Sequence, residues 1–281
     1  MPRIFIFGLG YAARFIAAGL EARGWEVIST GREGTLAFDD EGSVRVALAD
    51  ADQVLSSVPP GSAARGEPLD PVLERYGPAL TGKALSYLSS TGVYGDTGGA
   101  WVDESAPVGS GRRTARSQAD AAWLARGARV HRLPGIYGPG RSMLERVIGG
   151  RAHRIDLPGQ IFSRVHVEDI AAGVIAGLRA PGGAYNLADD LPCGQNLLVE
   201  EACRLLGIAP PPLQGIEEAG LSPMARGFYA ENRRVANGKA KRVLGWRPRY
   251  PDYLAGLRAL SATISPAIAS TAPATASSDQ R

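Results

Sequence analysis

The segment RIFIFGLGYAARFIAAGL, residues 3–20, joins an apolar run, a glycine turn and an amphipathic stretch in direct succession. Residues 3–7 have the composition of a buried strand, and residues 11–23 show the apolar spacing of a helix. The turn between them has the pattern Gly-x-Gly-x-x-Ala and consists of Gly8, Leu9, Gly10, Tyr11, Ala12 and Ala13. A strand that passes through such a turn into a helix predicts the first βαβ unit of a parallel sheet.

The glycine turn predicts a binding site for the pyrophosphate of a dinucleotide. Gly8 permits the tight turn, Gly10 lets the backbone approach the phosphates, and Ala13 is small enough for close packing of helix on strand. The free amides and the dipole at the start of the helix favour negative charge there. We therefore predict that residues 8–13 bind a cofactor.

The end of the second strand bears on which dinucleotide is bound. Residues 26–30 end in Thr30, and Gly31 and Arg32 follow, where an NAD site usually carries an acid. A hydroxyl and a guanidinium suit a 2′-phosphate, so Thr30 and Arg32 predict NADP. Two alternatives stay open, since Arg32 can point into solvent and Glu33 can serve the ribose of NAD.

Strand-like and helical segments alternate along the first half of the chain. This alternation predicts an α/β fold, a doubly wound parallel sheet with helices on both faces. The connection between residues 26–30 and 35–38 is too short for an ordinary crossover helix. The further predicted strands are 35–38, 53–58, 84–89 and 128–133, and the clearest helices between them are 70–80 and 113–126.

The organisation beyond the first half is less regular. We predict a dinucleotide-binding domain mainly in residues 1–140, to which segments around 161–190 return, and a substrate-binding region mainly in 141–260. Residues 261–281 are rich in Ala, Ser, Thr and Pro, which predicts a disordered tail.

Composition argues against several classes of partner. The net charge is +3, and no basic run is interleaved with aromatic residues, so we expect no nucleic-acid partner. The three histidines lack metal-ligand spacing, which predicts no metal site. The first apolar run is too short to span a membrane, so we expect a cytoplasmic protein without a membrane partner, and Cys193 and Cys203 as thiols.

The segment SSTGVYGD, residues 89–96, places hydroxyl groups at the end of the strand 84–89. Such a cluster can polarise a substrate oxygen when a partner moves a proton or a hydride. Ser90 and Thr91 are therefore the candidate catalytic residues, and a small-molecule substrate is the expected partner.

Several segments together resemble the extended short-chain dehydrogenase/reductase superfamily, the NAD-dependent epimerase/dehydratase group. The resemblance implies a Rossmann-type domain with a small C-terminal substrate region, a nicotinamide site near Ser90 and the loop 133–138, and a homodimer formed through helices 70–80 and 113–126. The matching pieces occur in family order: GLGYAA (8–13), SSTGVYGD (89–96), HRLPGIYGPGR (131–141), FSRVHVEDIAAGV (162–174), AYNLADDLP (184–192) and LGWRPRY (244–250).

The chain departs from the family in its catalytic helix. In the family, the hydroxyl at Ser90 works beside a Tyr-x-x-x-Lys pair, and no tyrosine of this chain has a lysine at that spacing. Aligning GRRTARSQADAAW (111–123) on Asp120 puts Arg116 at the lysine position and Arg112 at the tyrosine position. Arginine keeps its proton, so Arg112 cannot replace the tyrosine, whereas Arg116 can hold a ribose or an anion. The alternative is a solvated helix face with Arg116–Asp120 as a surface pair.

The resemblance also implies further contacts. Asp39 matches an acid near the adenine, and Ser57 lies where the loop borders the cofactor ribose. Arg141 and Arg164 would face the substrate cleft and suit a phosphate or carboxylate, unless they are ordinary surface arginines. A structural role is expected for Tyr94, Tyr137, His166 and Asp169.

Two classes of function remain. The intact glycine turn and hydroxyl motif favour an NAD(P)-dependent oxidoreductase, epimerase or dehydratase-like enzyme on a small, anionic or sugar-like substrate. The missing Tyr-x-x-x-Lys pair favours a non-catalytic sensor or regulator that binds NADP(H). Because one fold hosts many functions, fold alone does not choose between them.

Overall fold

The computed structural model describes residues 1–61, 70–111 and 114–268. Its strands are β1 (Arg3–Phe7), β2 (Glu26–Ser29), β3 (Gln53–Ser56), β4 (Ala84–Ser90), β5 (Trp101–Val102), β6 (Arg129–Leu133), β7 (Gly135–Tyr137), β8 (Arg154–Ile155), β9 (Arg164–His166), β10 (Gly183–Asn186), β11 (Leu213–Gln214) and β12 (Arg234–Val235). Its helices are α1 (Tyr11–Glu21), α2 (Glu41–Asp50), α3 (Pro71–Tyr76), α4 (Thr114–Ala125), α5 (Met143–Ile148), α6 (Val167–Gly177), α7 (Gln195–Leu206), α8 (Pro223–Tyr229), α9 (Gly238–Val243) and α10 (Tyr253–Ile268), with 3₁₀ segments at Gly77–Leu80 and Thr91–Tyr94.

The centre of the fold is a six-stranded sheet in the order β10-β6-β4-β3-β1-β2. Every neighbouring pair in it is parallel; Ile4 of β1, for example, pairs with Val27 of β2 on one side and Gln53 of β3 on the other. The chain therefore winds outward in both directions from β1 and β3. This confirms the predicted Rossmann-type doubly wound sheet, in which ligands bind at the carboxyl ends of the strands beside the point of reversal.

The sheet is covered on both faces because successive side chains of a strand point to opposite sides. In β1, Ile4 and Ile6 pack with α1 and α6, while Phe5 and Phe7 pack with α2, α3 and α4. All four of these side chains are buried. The two hydrophobic cores fix the sheet between its helices and leave its carboxyl edge free for the site.

The strand predicted at residues 35–38 is absent, and that prediction is wrong. One parallel bridge, between Thr30 and Leu36, is all that remains of it. The side chain of Thr35 accepts a hydrogen bond from the Ser29 amide at 3.0 Å and donates to the Ser29 carbonyl at 3.1 Å. The chain thus turns back tightly on the end of β2 instead of extending beside it.

The crossover that follows was missed by the sequence prediction. Helix α2 spans Glu41–Asp50 and leads to β3, and the Asp40 side chain caps it by accepting a hydrogen bond from the Ser43 amide at 3.2 Å. Val44 and Leu48 are fully buried on its inner face. An Asp cap followed by apolar residues four positions apart is a helix signal. The sequence prediction missed it because it assigned the preceding residues 35–38 to a strand.

The later segments form a third hydrophobic core outside the central sheet. Helices α5, α7 and α10 contribute Leu144, Val199 and Leu257, which are fully buried. Three short parallel pairs, β7 with β9, β8 with β11 and β5 with β12, lie outside the central sheet. The central sheet also includes β10, which comes from the later half of the chain. Helix α6, from the same half, packs on α1.

Part of the predicted disordered tail is helical. Helix α10 continues to Ile268, so the prediction of disorder is wrong for residues 261–268. Leu260 and Ser261 are buried on the inner face of this helix, and their packing holds the helix against the rest of the protein. Composition alone missed this anchoring, and residues 269–281 lie outside the described part of the chain.

A buried ion pair lies beneath the carboxyl end of β4. The Asp120 and Arg132 side chains are 0% and 3% exposed, and Arg132 donates to the Asp120 carboxylate at 2.8 and 3.1 Å. The Ser89 hydroxyl donates to the same carboxylate at 2.6 Å, and Arg132 also donates to the Tyr94 hydroxyl at 3.0 Å. The predicted surface pair between Arg116 and Asp120 is therefore wrong, because Asp120 faces the core.

Other expectations from composition concern thiols, metals and membranes. Cys193 and Cys203 are both free and buried, as expected for thiols. Within the described ranges there is no group of three or more His, Cys, Asp and Glu side chains suited to a metal ion. None of the helices described there combines the length and the apolar character needed to cross a bilayer.

The substitution Asp120→Ala should destabilise the protein by about 3–5 kcal/mol, since it leaves the buried Arg132 charge without its partner. Urea unfolding followed by circular dichroism measures the loss. The matched control is Asp50→Ala, whose carboxylate is exposed and lies 3.4 Å from Arg3; it should cost less than about 1 kcal/mol. Equal costs for the two variants would show that the buried pair contributes no more than a surface one.

Candidate functional site

The glycine turn has the geometry that close approach of a ligand requires. Gly8 has φ +81°, and a Cβ there would lie 3.1 Å from Val58 Cγ2 and 3.2 Å from Ser57 Oγ. Gly10, in contrast, has an ordinary φ of −81° at the start of α1, and a Cβ built there meets nothing within 4 Å. Gly8 is needed for the turn itself, whereas Gly10 keeps open the space in front of the helix N-terminus.

Two predicted site residues hold this turn in place. The Thr30 side chain, 1% exposed, accepts a hydrogen bond from the Gly8 amide at 3.1 Å, and its carbonyl accepts one from Leu9 at 2.8 Å. The Ser57 hydroxyl donates to the Gly8 carbonyl. Thr30 is thus placed to shape the turn rather than to present its hydroxyl to a 2′-phosphate.

Two cavities meet at the turn, and Gly10 and Ser57 line both. One has a volume of about 590 Å³ and lies beside the end of β2; we call it the β2-side cavity. The other, of about 430 Å³, extends to the end of β4 and is called the β4-side cavity. The β2-side cavity is lined by Gly8, Leu9, Gly10, Arg14, Thr30, Gly31, Arg32, Glu33, Phe38, Ser57, Val58, Pro59 and Pro71.

The β2-side cavity has a basic side. Arg32 is exposed on its wall and, among the described residues, has no hydrogen-bond or ion-pair partner. Glu33 forms an ion pair with Arg14 at 2.6 Å, so its charge is already balanced. The structure therefore brings Arg32 to the cavity with its guanidinium free, and it adds Arg14 and Phe38, which the sequence reasoning did not single out.

Asp39 does not reach any of the cavities described. Its carboxylate is 83% exposed and forms an ion pair with Arg75 of α3. The backbone turns at this point, so that the neighbouring Phe38 faces the β2-side cavity instead. The structure thus gives no support to Asp39 as an adenine contact, which stays a prediction.

The β4-side cavity contains the predicted hydroxyl pair. Ser90 is half-buried at the end of β4 and accepts a hydrogen bond from the Gly92 amide at 3.1 Å, which leaves its own proton available to a substrate oxygen. Thr91 is 5% exposed and lines the same wall. Ser90 is therefore the better placed of the two candidates for contact with a substrate.

Arg116 also lines the β4-side cavity, but its guanidinium is engaged. It donates to the Tyr87 hydroxyl at 2.7 Å and to the Leu88 carbonyl at 3.2 Å. Both acceptors belong to β4, so this arginine joins α4 to the strand that carries Ser90. Arg112, aligned with the family tyrosine, lies outside the described residues.

The tyrosines around the site are proton donors rather than bases. Burial raises the pKa of Tyr11, Tyr137 and Tyr229 above the usual range of a phenol. The Tyr94 hydroxyl donates to Asn186 at 2.7 Å within the buried network and is structural, as expected. No phenol described at the site resembles the activated tyrosine of a Tyr-x-x-x-Lys pair.

Other sequence motifs join distant parts of the chain. The Asp169 carboxylate accepts hydrogen bonds from the amides of Arg249 at 2.6 Å and Tyr250 at 3.0 Å. The His166 ring accepts one from the Glu168 amide at 3.3 Å and so caps α6. Asp169 and His166 thus have the structural roles that the sequence predicts.

The β4-side cavity includes residues that sequence reasoning missed. Arg233 donates twice to the Glu231 carboxylate at 3.0 Å, and both residues line this cavity. They follow α8, far along the chain from the glycine turn, and no motif marks them. Only the folded arrangement brings them to the site.

A third cavity, of about 310 Å³, adjoins the β4-side cavity; we call it the α5-side cavity. Arg141 is exposed and lines both, with its guanidinium 5.7 Å from the Tyr11 ring. Arg164 is 5% exposed and lines only the α5-side cavity. The structure therefore places both predicted arginines in the cleft, although Arg164 is buried rather than on the surface.

Comparison with known proteins agrees with this arrangement. A functionally unknown conserved protein from Silicibacter pomeroyi is 38% identical, with a TM-score of 0.82 over 94% of this chain and 99% of that one. Protein YeeZ of Escherichia coli is 29% identical over 90% of this chain and 98% of its own length. The human epimerase family protein SDR39U1, solved with NADPH, shares the fold at 18% identity, with a TM-score of 0.76 over 92% of this chain and 99% of that one. No family model matches the chain.

The parallel sheet and the glycine turn together define a Rossmann-type fold. The chain resembles the NAD-dependent epimerase/dehydratase group in its fold and in its sequence motifs. It departs from the pattern of that group, because its sequence contains no Tyr-x-x-x-Lys pair.

The two glycines of the turn should respond differently to substitution. Gly10→Ala adds a methyl group only to open space, so stability should change by less than about 1 kcal/mol, while dinucleotide affinity should fall at least about ten-fold. Gly8→Ala should itself destabilise the fold by about 1–2 kcal/mol because of its left-handed conformation. Thermal unfolding and NADPH fluorescence titration measure the two effects. Unchanged NADPH affinity in Gly10→Ala would contradict a pyrophosphate site at this turn.

Proposed function

We propose that the protein is an NADP-dependent oxidoreductase or epimerase/dehydratase-like enzyme that acts on a small, anionic or sugar-like substrate. The observation that carries the proposal is the junction at Gly10, where a helix N-terminus opens onto two cavities, one with Arg32 and the other with Ser90. A dinucleotide laid across this junction has its adenosine end at β2 and its nicotinamide end at β4. We also retain the proposals of a cytoplasmic location and a homodimer.

The residues present fit such a cofactor. The amides at the start of α1 bind the pyrophosphate, and the open space at Gly10 admits it. The free guanidinium of Arg32 binds the 2′-phosphate, which favours NADP over NAD. The NADPH found with the human epimerase family protein is consistent with this preference. Bound NADP(H) supplies the hydride acceptor or donor.

The chain's own chemistry centres on Ser90. Its hydroxyl donates a hydrogen bond to the substrate oxygen and stabilises the negative charge that develops there. The Gly92 amide donates a hydrogen bond to Ser90 Oγ at 3.1 Å, and this bond helps to fix the position of the hydroxyl. Water or a side chain other than the family tyrosine provides the proton, and the raised pKa values of Tyr11 and Tyr229 keep these phenols protonated at neutral pH.

A second candidate is a non-catalytic protein that senses NADP(H). The observation in its favour is Arg116, whose guanidinium is held by Tyr87 and Leu88 at the position of the family lysine. A sensor would bind NADPH without oxidising it, and its affinity for a protein partner would differ between NADP and NADPH. Turnover of NADPH with any substrate would exclude this candidate as the sole function.

Arg32→Ala should weaken NADPH binding by about ten- to a hundred-fold, which corresponds to the loss of one charge-assisted hydrogen bond worth about 1.5–3 kcal/mol. NADH binding should change by less than about two-fold, since NADH lacks the 2′-phosphate. Fluorescence titrations of both cofactors against both proteins measure these effects.

The control for this experiment is Arg179→Ala, an exposed arginine that lines none of the three cavities. It should leave both affinities unchanged. Equal losses of NADPH and NADH affinity in Arg32→Ala would refute the 2′-phosphate contact. Failure of the wild type to bind either cofactor would overturn the proposed function as a whole.

Ser90→Ala should lower turnover of NADPH by about 10²–10³-fold while leaving NADPH affinity unchanged. The assay follows NADPH absorbance with a panel of aldehydes, ketones and oxo acids. Ser86→Ala is the matched control, because the Ser86 hydroxyl is buried in the same strand and has no hydrogen-bond partner among the described residues. An undiminished rate in Ser90→Ala would remove this residue from the mechanism.

A further inference from the structure

The α5-side cavity is placed to hold the part of a substrate that lies beyond the reacting atom. It shares Arg141, Phe162 and Phe228 with the β4-side cavity, which contains Ser90. A ligand whose oxygen lies at Ser90 therefore has a direct path into it. Its volume of about 310 Å³ is at the lower end of the range for small-molecule sites, about 300–1,000 Å³. A small molecule fits it better than a nucleotide-sugar.

The charge of the α5-side cavity is of one sign. Arg141, Arg146 and Arg164 line it, and no Asp or Glu is among the described residues of its wall. The nearest carboxylate along the chain, that of Glu145, is already used at the start of α5, where it accepts hydrogen bonds from the amides of Gly140 at 3.0 Å and Ser142 at 2.8 Å. The wall therefore favours an anionic ligand.

Arg164 is a buried cation that makes no ion pair with any described carboxylate. Its Nη1 donates to the Phe162 and Cys193 carbonyls at 3.1 Å, and its Nη2 donates to Gln195 at 2.9 Å. Among the described residues no carboxylate lies within 4 Å of it. Burial raises the pKa of the nearby Asp189, although the positive charge of Arg164 opposes that shift, and the two side chains form no ion pair. A buried unpaired charge is costly, and a bound anion removes that cost.

The rest of the wall is apolar and aromatic. The Phe162 ring lies 6.1 Å from Phe228 and, edge to face, 5.7 Å from Tyr229, with Leu198 also on the wall. Aromatic groups of this kind favour a flat apolar ligand body over a polyhydroxylated sugar, whose hydroxyls would need hydrogen-bond partners here. The arginines and the rings thus specify two parts of one ligand.

We propose that the α5-side cavity binds the carboxylate and the aromatic body of a small organic acid, with Arg164 and Arg141 holding the carboxylate and Phe162, Phe228 and Tyr229 contacting the ring. This assignment rests on the proposed function, since it places the reacting oxygen of the same acid at Ser90. The planar carboxylate matches the fork of a guanidinium, as a neutral amide does not.

The experiment compares phenylacetate with its neutral isostere phenylacetamide, by calorimetric titration into the NADP-saturated protein. Phenylacetate should bind at least about ten-fold more tightly, a difference of about 1.4 kcal/mol. Arg164→Met should abolish that preference. Because this buried substitution can disturb folding, Arg146→Gln, on the exposed rim of the cavity, is the second variant and should reduce the preference, whereas Arg179→Gln should preserve it.

Glucose 6-phosphate and UDP-glucose are titrated in parallel. Equal binding of phenylacetate and phenylacetamide, or binding of either sugar compound in place of phenylacetate, would overturn the proposal. So would an unchanged preference in both Arg146→Gln and a folded Arg164→Met. NADPH fluorescence, measured on each protein beforehand, separates this failure from failure of the proposed function, because Arg146 and Arg164 line only the α5-side cavity and neither of the two cavities assigned to the cofactor.

Discussion

The arrangement of the site depends on the buried ion pair between Asp120 and Arg132. Asp120 comes from α4 and Arg132 from β6, and the Ser89 hydroxyl adds β4 to the same network. These contacts fix the end of β4 one residue before Ser90. Because both charges are removed from water, each requires the other, and the three elements are held in one relative position. The reactive hydroxyl is therefore positioned by the core beneath it.

In and around the cavities, the carboxylates of Glu33, Glu145 and Glu231 are already bound by groups of the protein, whereas the guanidinium groups of Arg32 and Arg141 have no carboxylate partner among the described residues. Glu33 is paired with Arg14, Glu231 with Arg233, and Glu145 caps a helix. Arg32 and Arg141 have no such partner among the described residues. The result is a cleft whose remaining charge is positive at both ends, which suits a phosphorylated cofactor at one end and an anionic substrate at the other.

The first strand, the glycine turn and the first helix could be predicted from sequence because their signals are local. The same holds for the carboxyl end of β4, where Ser90 lies on the wall of the cavity as expected. The errors have two causes: a tight local turn was taken for a strand, and other side chains are placed by contacts between distant segments. The bonds between Thr35 and Ser29 replace the strand at 35–38 by a turn and carry Asp39 away from the cleft. Neither the partner of Asp120 nor the position of Arg233 has a sequence signal, since both depend on packing between distant segments.

The contact between Asp169 and the backbone near residue 250 has a consequence for how the molecule unfolds. One carboxylate on α6 binds two amides about eighty residues further along the chain. Since α6 packs on the central sheet, and the bonded segment leads directly into α10, this contact couples the third core to the first two. Opening of either part breaks bonds to the other, which favours unfolding of the described chain as one cooperative unit despite its separate cores.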